Sequence, residues 1–377
     1  MGKPGSTLKN ETYTYYEFII GVSFLFLGGK NMIPNLDMTQ WWSWIVCIVL
    51  LILGIFFLVK FSDLFVDASA SIAKRFHISE MIIGLTIVAF GTSCPELAVS
   101  VSDSITCLLE GGNANVAIGN VVGSNICNLL IVLGCSAIFT PILIKKSVCK
   151  KEYPILLFVT ALLVIFGLCF SLNGSYAILR WEGIVFIVLI IVYAIYLVLD
   201  AKRMMKQGLE VEMEQQVELM PTWKSIVFVV LGLAGIAVGG EAVVYGAKNA
   251  AVGIGDLANL NHDLVESLVG LTVVAVGTSL PELVTSIVAA KKGQNDMALG
   301  NVIGSNIFNI LFVLGIAGAI NPLTVGPQIV VDLAVMLLAT LFIFLFAFLG
   351  KIDRKRGIVL IACYTGYLIY LICRTVI

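Results

Sequence analysis

The sequence predicts an all-α polytopic membrane protein, built from two inverted five-helix repeats whose site helices are discontinuous. Three observations predict it. The 377-residue chain is 59% hydrophobic and only 12% charged, with a mean hydropathy of +1.02, whereas soluble domains carry about 25% charged residues. Ten segments are long and apolar enough to cross a bilayer. Two polar-interrupted blocks of sequence each occur once in either half of the chain.

The ten predicted helices lie in two groups of five on either side of a polar connector. Each spans about 20 mainly apolar residues, the length needed to cross the hydrocarbon core. The first repeat, 43–200, holds helices at 43–62, 80–108, 115–139, 154–172 and 182–200. The connector is 201–223, and the second repeat, 224–377, holds helices at 224–250, 264–290, 297–320, 328–349 and 356–375.

Residues 1–42 form an N-terminal extension. Its apolar stretch at 18–29 is short for a free span. An interfacial segment, a signal-like anchor and an eleventh helix all fit this stretch, and the sequence leaves the three alternatives open.

The basic residues orient the array. Ten spans put 16 of the 23 lysines and arginines on one side, and the positive-inside rule assigns that side to the cytoplasm. The connector is then cytoplasmic, and both ends of the ten-helix body lie outside. Since five is an odd number, the second repeat enters the membrane with the opposite polarity, which makes the two repeats an inverted pair.

Two blocks of sequence carry the chemistry. Residues 83–100 read IGLTIVAFGTSCPELAVS and residues 269–286 read VGLTVVAVGTSLPELVTS, with 12 of 18 positions identical. Residues 119–134 read GNVVGSNICNLLIVLG and residues 300–315 read GNVIGSNIFNILFVLG, with 12 of 16 identical. Polar groups within apolar spans are costly, and their duplication in the two halves predicts a substrate site at the repeat interface.

The first block predicts a broken helix. Pro95 has no N–H and its ring clashes with the preceding turn, and Gly91 adds backbone freedom. The carbonyls freed near this point need a partner within the protein or in a water-lined cavity. Thr92 and Glu96 are four residues apart and share a helical face, and Thr278, Pro281 and Glu282 repeat the pattern.

Carbonyls, hydroxyls and carboxylates are hard oxygen ligands. They suit calcium, sodium or magnesium, and magnesium is the least favoured because it loses its water reluctantly. If Glu96 and Glu282 lie about 6 Å apart, they repel each other by roughly 3 kcal/mol at an effective dielectric of about 20. An empty site would therefore take up a proton, and protons are expected to compete with the cation.

Other classes of protein fit less well. Both histidines, His77 and His262, lie outside the repeated blocks, and the carboxylates have no nucleophile–base pair beside them, so we predict that the chain is not an enzyme and needs no cofactor. A passive cation channel would also use carboxylates at mid-membrane, and a flux measurement with and without a counter-ion separates it from an antiporter.

The doubled pattern GTSxPE and GNxxGSNxxN, over ten spans, resembles the cation/calcium exchanger superfamily. The resemblance is greatest to the sodium/calcium exchanger branch in its compact prokaryotic form, and it covers about 40–375. It implies alternating access, with the first and sixth helices sliding over rigid site-bearing helices. It implies calcium ligands at Glu96, Glu282 and the backbone of Thr92 and Thr278. The sodium ligands that it implies are Ala89, Ser93, Ser124, Ala275, Ser279 and Ser305, together with the same two glutamates.

The resemblance also assigns Asn128 and Asn309 to the lining of the site. Some relatives, including potassium-dependent exchangers, carry Asp where this chain has Asn309, which favours potassium independence. We therefore expect a sodium/calcium antiporter in a prokaryotic cell membrane. A proton/calcium exchanger and a potassium-dependent exchanger are its alternatives. Its expected partners are calcium, sodium and the lipid bilayer, with no nucleic acid; the sequence does not specify an oligomeric state.

Overall fold

The protein is a helical membrane protein. The computed structural model describes residues 36–110, 114–172, 175–206, 219–258 and 275–376. Eight helices of these ranges are long and apolar enough to cross a membrane, and a ninth crossing results if the bent pair Glu80–Thr92 and Cys94–Leu109 is one span. The structure thus contains the long apolar helices that an integral membrane protein requires. Residues 264–274 of the predicted helix 264–290 lie outside the described residues, so the number ten stays a prediction.

The helices of the first half lie between residues 41 and 206. They are α1 (Trp41–Arg75), α2 (Glu80–Ile83), α3 (Ala89–Thr92), α4 (Cys94–Glu110), α5 (Asn115–Cys127), α6 (Leu133–Phe139), α7 (Lys146–Lys150), α8 (Glu152–Cys169) and α9 (Arg180–Lys206). Those described in the second half are α10 (Thr222–Leu257), α11 (Ala275–Thr278), α12 (Leu280–Lys291), α13 (Asn295–Phe308), α14 (Leu314–Ile320), α15 (Pro327–Phe348) and α16 (Arg354–Val376). Wider π-helical turns join α2 to α3, α5 to α6 and α13 to α14, at Gly84–Val88, Asn128–Val132 and Asn309–Val313.

The long helices α1 and α10 exceed their predicted lengths. The sequence predicts an end to the first helix at 62, before two aspartates, but α1 continues to Arg75. In this extension Lys292, after α12, lies 2.7 Å from Asp63 Oδ1 and 2.6 Å from Asp67 Oδ1, so that the charges of the two aspartates are neutralised. A local reading of the sequence cannot anticipate this neutralisation, since the partner is more than 220 residues away.

Helices α1 and α10 pack directly against each other. A Cβ atom added to Gly54 would lie 2.8 Å from the carbonyl oxygen of Gly239, and one added to Gly239 would lie 2.9 Å from the carbonyl oxygen of Gly54. Glycine is required at this crossing because the two backbones are in contact, as in the small-residue interfaces of membrane helices.

The centre of the molecule consists of the two spans that carry the GNxxGSNxxN blocks. In 116–139 and 295–320, 78% and 72% of the most apolar window is buried, against 22–44% in the other six long spans. Their glycines permit close packing: Gly134 on α6 faces the backbone of Gly357 on α16, and Gly315 on α14 faces Gly183 on α9. Since Gly134 and Gly315 are equivalent in the repeated block, the same packing occurs twice.

Short strands also link the two halves in pairs. Strand β1 (Ile142–Leu143) pairs antiparallel with β5 (Lys351–Ile352). Strands β2 (Ser171–Leu172), β3 (Ser175–Ile178) and β4 (Leu323–Val325) form a second antiparallel sheet, in which β3 is central. Each sheet thus joins a loop of one half to a loop of the other.

A buried tyrosine–carboxylate contact is likewise present in both halves. The hydroxyl of Tyr193 on α9 donates to Glu152 on α8 (3.3 Å). The hydroxyl of Tyr367 on α16 donates to Asp332 on α15 (3.0 Å), and Arg374 makes two further hydrogen bonds to the Asp332 carboxylate, at 2.8 and 3.0 Å. These contacts fasten the peripheral helix pairs α8–α9 and α15–α16.

Candidate cation site

The first repeated block forms a broken helix, as the sequence predicts. The chain bends by 48° between α3 and α4, with Ser93 at the break. Backbone hydrogen bonds cross it from Ser93 N to Ala89 O and from Leu97 N to Ser93 O, both 3.1 Å. The carbonyls of Gly91 and Thr92 fall between these two bonds, and Pro95 has no N–H to offer Gly91. The backbone oxygens at this bend are therefore candidate ligands.

The second copy of this block, at 269–286, repeats the break. Helix α11 ends at Thr278 and α12 begins at Leu280, with Ser279 between them and Pro281 in the first turn of the new helix. Glu282 lies in that first turn, as Glu96 lies in the first turn of α4. The two glutamates therefore occupy matching positions, each directly after a break. The positive end of a helix dipole lies there, next to each carboxylate.

The two breaks meet in the interior of the protein. Ser93 Oγ of the first block donates to Glu282 Oε1 of the second block, at 3.0 Å. Ser124 Oγ, on α5, lies 3.3 Å from Thr278 Oγ1. The structure therefore brings together residues 189 and 154 positions apart in the sequence, and it does so with the groups that the sequence selects.

The carboxylates of Glu96 and Glu282 are fully buried. Neither oxygen of Glu96 has a hydrogen-bond partner within the described part of the chain, although the hydroxyls of Ser124 and Thr278 are near it. Glu282 Oε2 also has no partner there, and the two carboxylates are close enough to repel each other. No lysine or arginine of the described ranges forms an ion pair with either. Buried anions of this kind need a cation or a proton.

The remaining predicted residues surround this pair. Ser279, Ser305, Asn128 and Asn309 are all buried. Ser279 Oγ and both polar side-chain atoms of Asn128 have no hydrogen-bond partner in the described ranges. Ala89 packs against Gly304, next to Ser305. Ala275 begins α11, and its side chain lies outside what the structure describes.

Asn309 differs from its counterpart Asn128. Its Nδ2 donates to Asn125 Oδ1 of the other half, at 3.2 Å, while its Oδ1 has no partner within the described residues. Asn309 thus serves as a link between the halves, and it leaves one oxygen for the site.

Four further residues belong to the site and were not predicted from the sequence. Asn301 accepts a hydrogen bond from Thr92 Oγ1 (3.2 Å) and donates to Ser286 Oγ (2.9 Å). Asn120 donates to Ser100 Oγ (3.1 Å) and to the carbonyl of Glu96 (3.3 Å). The signal was present in the sequence, because all four positions are identical between the repeated blocks.

Comparison with known proteins identifies the fold. The family described as "Sodium/calcium exchanger protein" matches residues 46–199 and 224–373. The chain belongs to this family. It is 38% identical over 331 residues to the putative antiporter CaxA of Alkalimonas amylolytica, covering 86% of this chain and 98% of that protein.

Two further matches agree with that family. The chain is 33% identical over 354 residues to the sodium/calcium exchanger MaX1 of Methanosarcina acetivorans, covering 86% of this chain and 97% of the relative. A solved structure of the sodium–calcium exchanger NCX_Mj, soaked with 10 mM Na⁺ and 10 mM Sr²⁺, superimposes with a TM-score of 0.69 and 33% identity. That superposition covers 85% of this chain and 97% of the exchanger chain. The predicted transporter class, as opposed to an enzyme, is confirmed by this membership.

Proposed function

We propose that this protein is a secondary active antiporter that exchanges sodium for calcium across a prokaryotic cell membrane by alternating access, independently of potassium. The observation that carries the proposal is the pair of buried glutamates, Glu96 and Glu282, with no cationic side chain beside them in the described ranges. Membership of the sodium/calcium exchanger family supports the identity of the two ions.

Calcium would bind between the two carboxylates and the backbone oxygens of Thr92 and Thr278. Two bidentate carboxylates and two carbonyls supply six oxygens, within the range of six to eight that calcium takes. The Thr92 carbonyl, which lies between the two helical segments, supports this assignment.

Sodium would use a larger set of hydroxyls and carbonyls around the same centre. The proposed ligands are Ala89, Ser93, Ser124, Ala275, Ser279 and Ser305, with Glu96 and Glu282, while Asn128 and Asn309 line the site. Ser93 already binds Glu282 and Ser124 already contacts Thr278. Because both ions need the same two carboxylates, they compete, and competition for one site is the physical basis of exchange.

We also propose ten spanning helices in two inverted repeats, 43–200 and 224–377, with a cytoplasmic connector at 201–223. The doubled contacts support this arrangement: Gly134 with Gly357 matches Gly315 with Gly183. The two sheets support the order of the spans, because β1 and β5 both belong to loops assigned to one side of the membrane and β3 and β4 to loops assigned to the other. Residues 207–218 of the connector and residues 1–35 of the N-terminal extension lie outside the described residues.

Calcium flux in proteoliposomes tests the proposal. Vesicles loaded with sodium, potassium or buffered protons are diluted into medium with radioactive calcium, and uptake is followed over time. Uptake that requires an outward sodium gradient supports the antiporter, and added potassium should not change it. Uptake without any counter-ion would indicate a channel, and uptake driven only by protons would indicate a proton/calcium exchanger.

A further inference from the structure

The asparagine after the first glycine of each GNxxGSNxxN block binds its own half of the protein in the same way. Asn120 Nδ2 lies 3.1 Å from Ser100 Oγ, and Asn301 Nδ2 lies 2.9 Å from Ser286 Oγ. Each bond runs to the serine that ends the GTSxPE block of the same half. The amide nitrogen therefore anchors each asparagine beside a glutamate-bearing helix.

The amide oxygen of Asn301 reaches into the other half. It accepts a hydrogen bond from Thr92 Oγ1 at 3.2 Å, and both residues are buried. Thr92 is the residue whose carbonyl falls between the helical ladders. Because the helical ladder is interrupted directly after Thr92, the side-chain bond to Asn301 helps to fix the position of this residue.

The equivalent contact in the other half is different. The hydroxyl of Thr278, the counterpart of Thr92, lies 3.3 Å from Ser124 Oγ. Asn120, the counterpart of Asn301, donates to the carbonyl of Glu96 at 3.3 Å. Identical residues in the two halves thus have two different arrangements within one conformation of the protein.

We propose that Asn301 and Asn120 are positioning residues that hold the ion-binding threonines, and that the threonine–asparagine bond changes halves during transport. In the conformation described, Asn301 holds Thr92. In the opposite conformation Asn120 holds Thr278, and Thr92 turns to Ser305, the counterpart of Ser124. The inference rests on the proposed function for its transport step, but its binding step requires only that the site binds calcium.

Substitutions at Thr92 test the binding step. Thr92→Val removes the hydroxyl and keeps the shape, while Thr92→Ser keeps the hydroxyl. The calcium concentration that half-stabilises the purified protein against heat is measured for each variant. Thr92→Val should raise it about fivefold, the effect of one hydrogen bond, and Thr92→Ser should restore it to within about twofold. Thr340→Val is the matched control and should leave the value unchanged, because among the described residues the Thr340 hydroxyl bonds to the carbonyl of Met336 in its own helix.

A double-mutant cycle then separates positioning from packing. Asn301→Ala should weaken calcium binding about as much as Thr92→Val does, and the double variant should be no weaker than Asn301→Ala alone. Effects that multiply in the double variant would overturn the proposal, and so would equal values for Thr92→Val and Thr92→Ser. If Asn301→Ala does not fold, the comparison of the two Thr92 variants decides the matter.

Sidedness tests the exchange between halves. Sodium-dependent calcium transport is measured in right-side-out and everted membrane vesicles. Asn301→Ala should raise the half-saturating calcium concentration at least several-fold more in one orientation, and Asn120→Ala should do so in the other. Equal effects in both orientations would refute the exchange. If the wild-type protein shows no sodium-dependent flux, the proposed function fails, whereas the thermal-shift cycle still decides the positioning role.

Discussion

Replacing Glu96 by glutamine should affect calcium far more than sodium. The substitution keeps the side-chain shape and one oxygen, and it removes a charge from a fully buried position. At about 4 Å and an effective dielectric of about 20, a carboxylate attracts calcium by about 8 kcal/mol and sodium by about 4 kcal/mol. Part of this is offset, because the wild-type site must first release the proton that carboxylate repulsion favours, at a cost of at most about 3 kcal/mol.

The offset is the same for both ions, so their difference does not depend on it. Calcium binding should weaken by about 5 kcal/mol or more, and the preference for calcium over sodium should fall by about 4 kcal/mol, or roughly a thousandfold. Thermal stabilisation of the purified protein by each ion gives both affinities, and calcium flux in proteoliposomes should be abolished. The variant should fold at least as well as the wild type, because glutamine can never place a charge at this buried position.

A buried carboxylate outside the site provides the control. Glu152→Gln keeps an acceptor for the Tyr193 hydroxyl and should leave ion binding unchanged. If Glu96→Gln weakened calcium and sodium binding by the same factor, or left calcium exchange intact, the carboxylate pair would not be the cation site.

Three further predictions follow from the geometry. Sodium-driven calcium uptake should fall as the pH falls from 7 to about 5, because protons neutralise the carboxylates that the cation needs, and a flat profile would contradict this competition. Gly54→Ala should lower the melting temperature because it overpacks the α1–α10 crossing, at a cost of about 1–3 kcal/mol. Gly366→Ala is the control and should not lower it, because Gly366 has open space around it. Equal effects of the two substitutions would rule out a tight crossing. Arg374→Gln should cost about 3 kcal/mol because it removes the cationic partner of the buried Asp332 carboxylate and leaves it the neutral Tyr367 hydroxyl. Lys151→Gln, on a more exposed pair, should cost less than about 1 kcal/mol in the same thermal unfolding assay.

The site could be predicted from the sequence because it consists of local sequence signals that occur twice. Proline, glycine and a glutamate within six residues predict a broken helix wherever they occur in an apolar span, and the break at Ser93 confirms it. The meeting of the two halves followed from the duplication, and the Ser93–Glu282 hydrogen bond bears it out.

Contacts between segments whose sequences are only weakly similar in the two halves could not be predicted. The pairs Tyr193–Glu152 and Tyr367–Asp332 lie in helices whose sequences share little beyond being apolar, so nothing marked them as equivalent. The prediction that the first helix ends at 62 was wrong: α1 continues through Asp63 and Asp67, whose pairing with Lys292 is a contact of the folded chain. The roles of Asn120 and Asn301 required knowledge of which side chain each amide faces.

The crossing of α1 and α10 at their glycines has a consequence for the leakage of ions across the membrane. Because the backbones are in contact at Gly54 and Gly239, and Phe61 packs on Gly235, we expect the two helices to move as one rigid unit. At 35 and 36 residues, each is about 50 Å long, well beyond the roughly 30 Å hydrocarbon thickness. A displacement at one membrane face must therefore reach the other face at once. We expect the movement that opens the ion path at one membrane face to close it at the other face. Ions then cross only while bound to the protein.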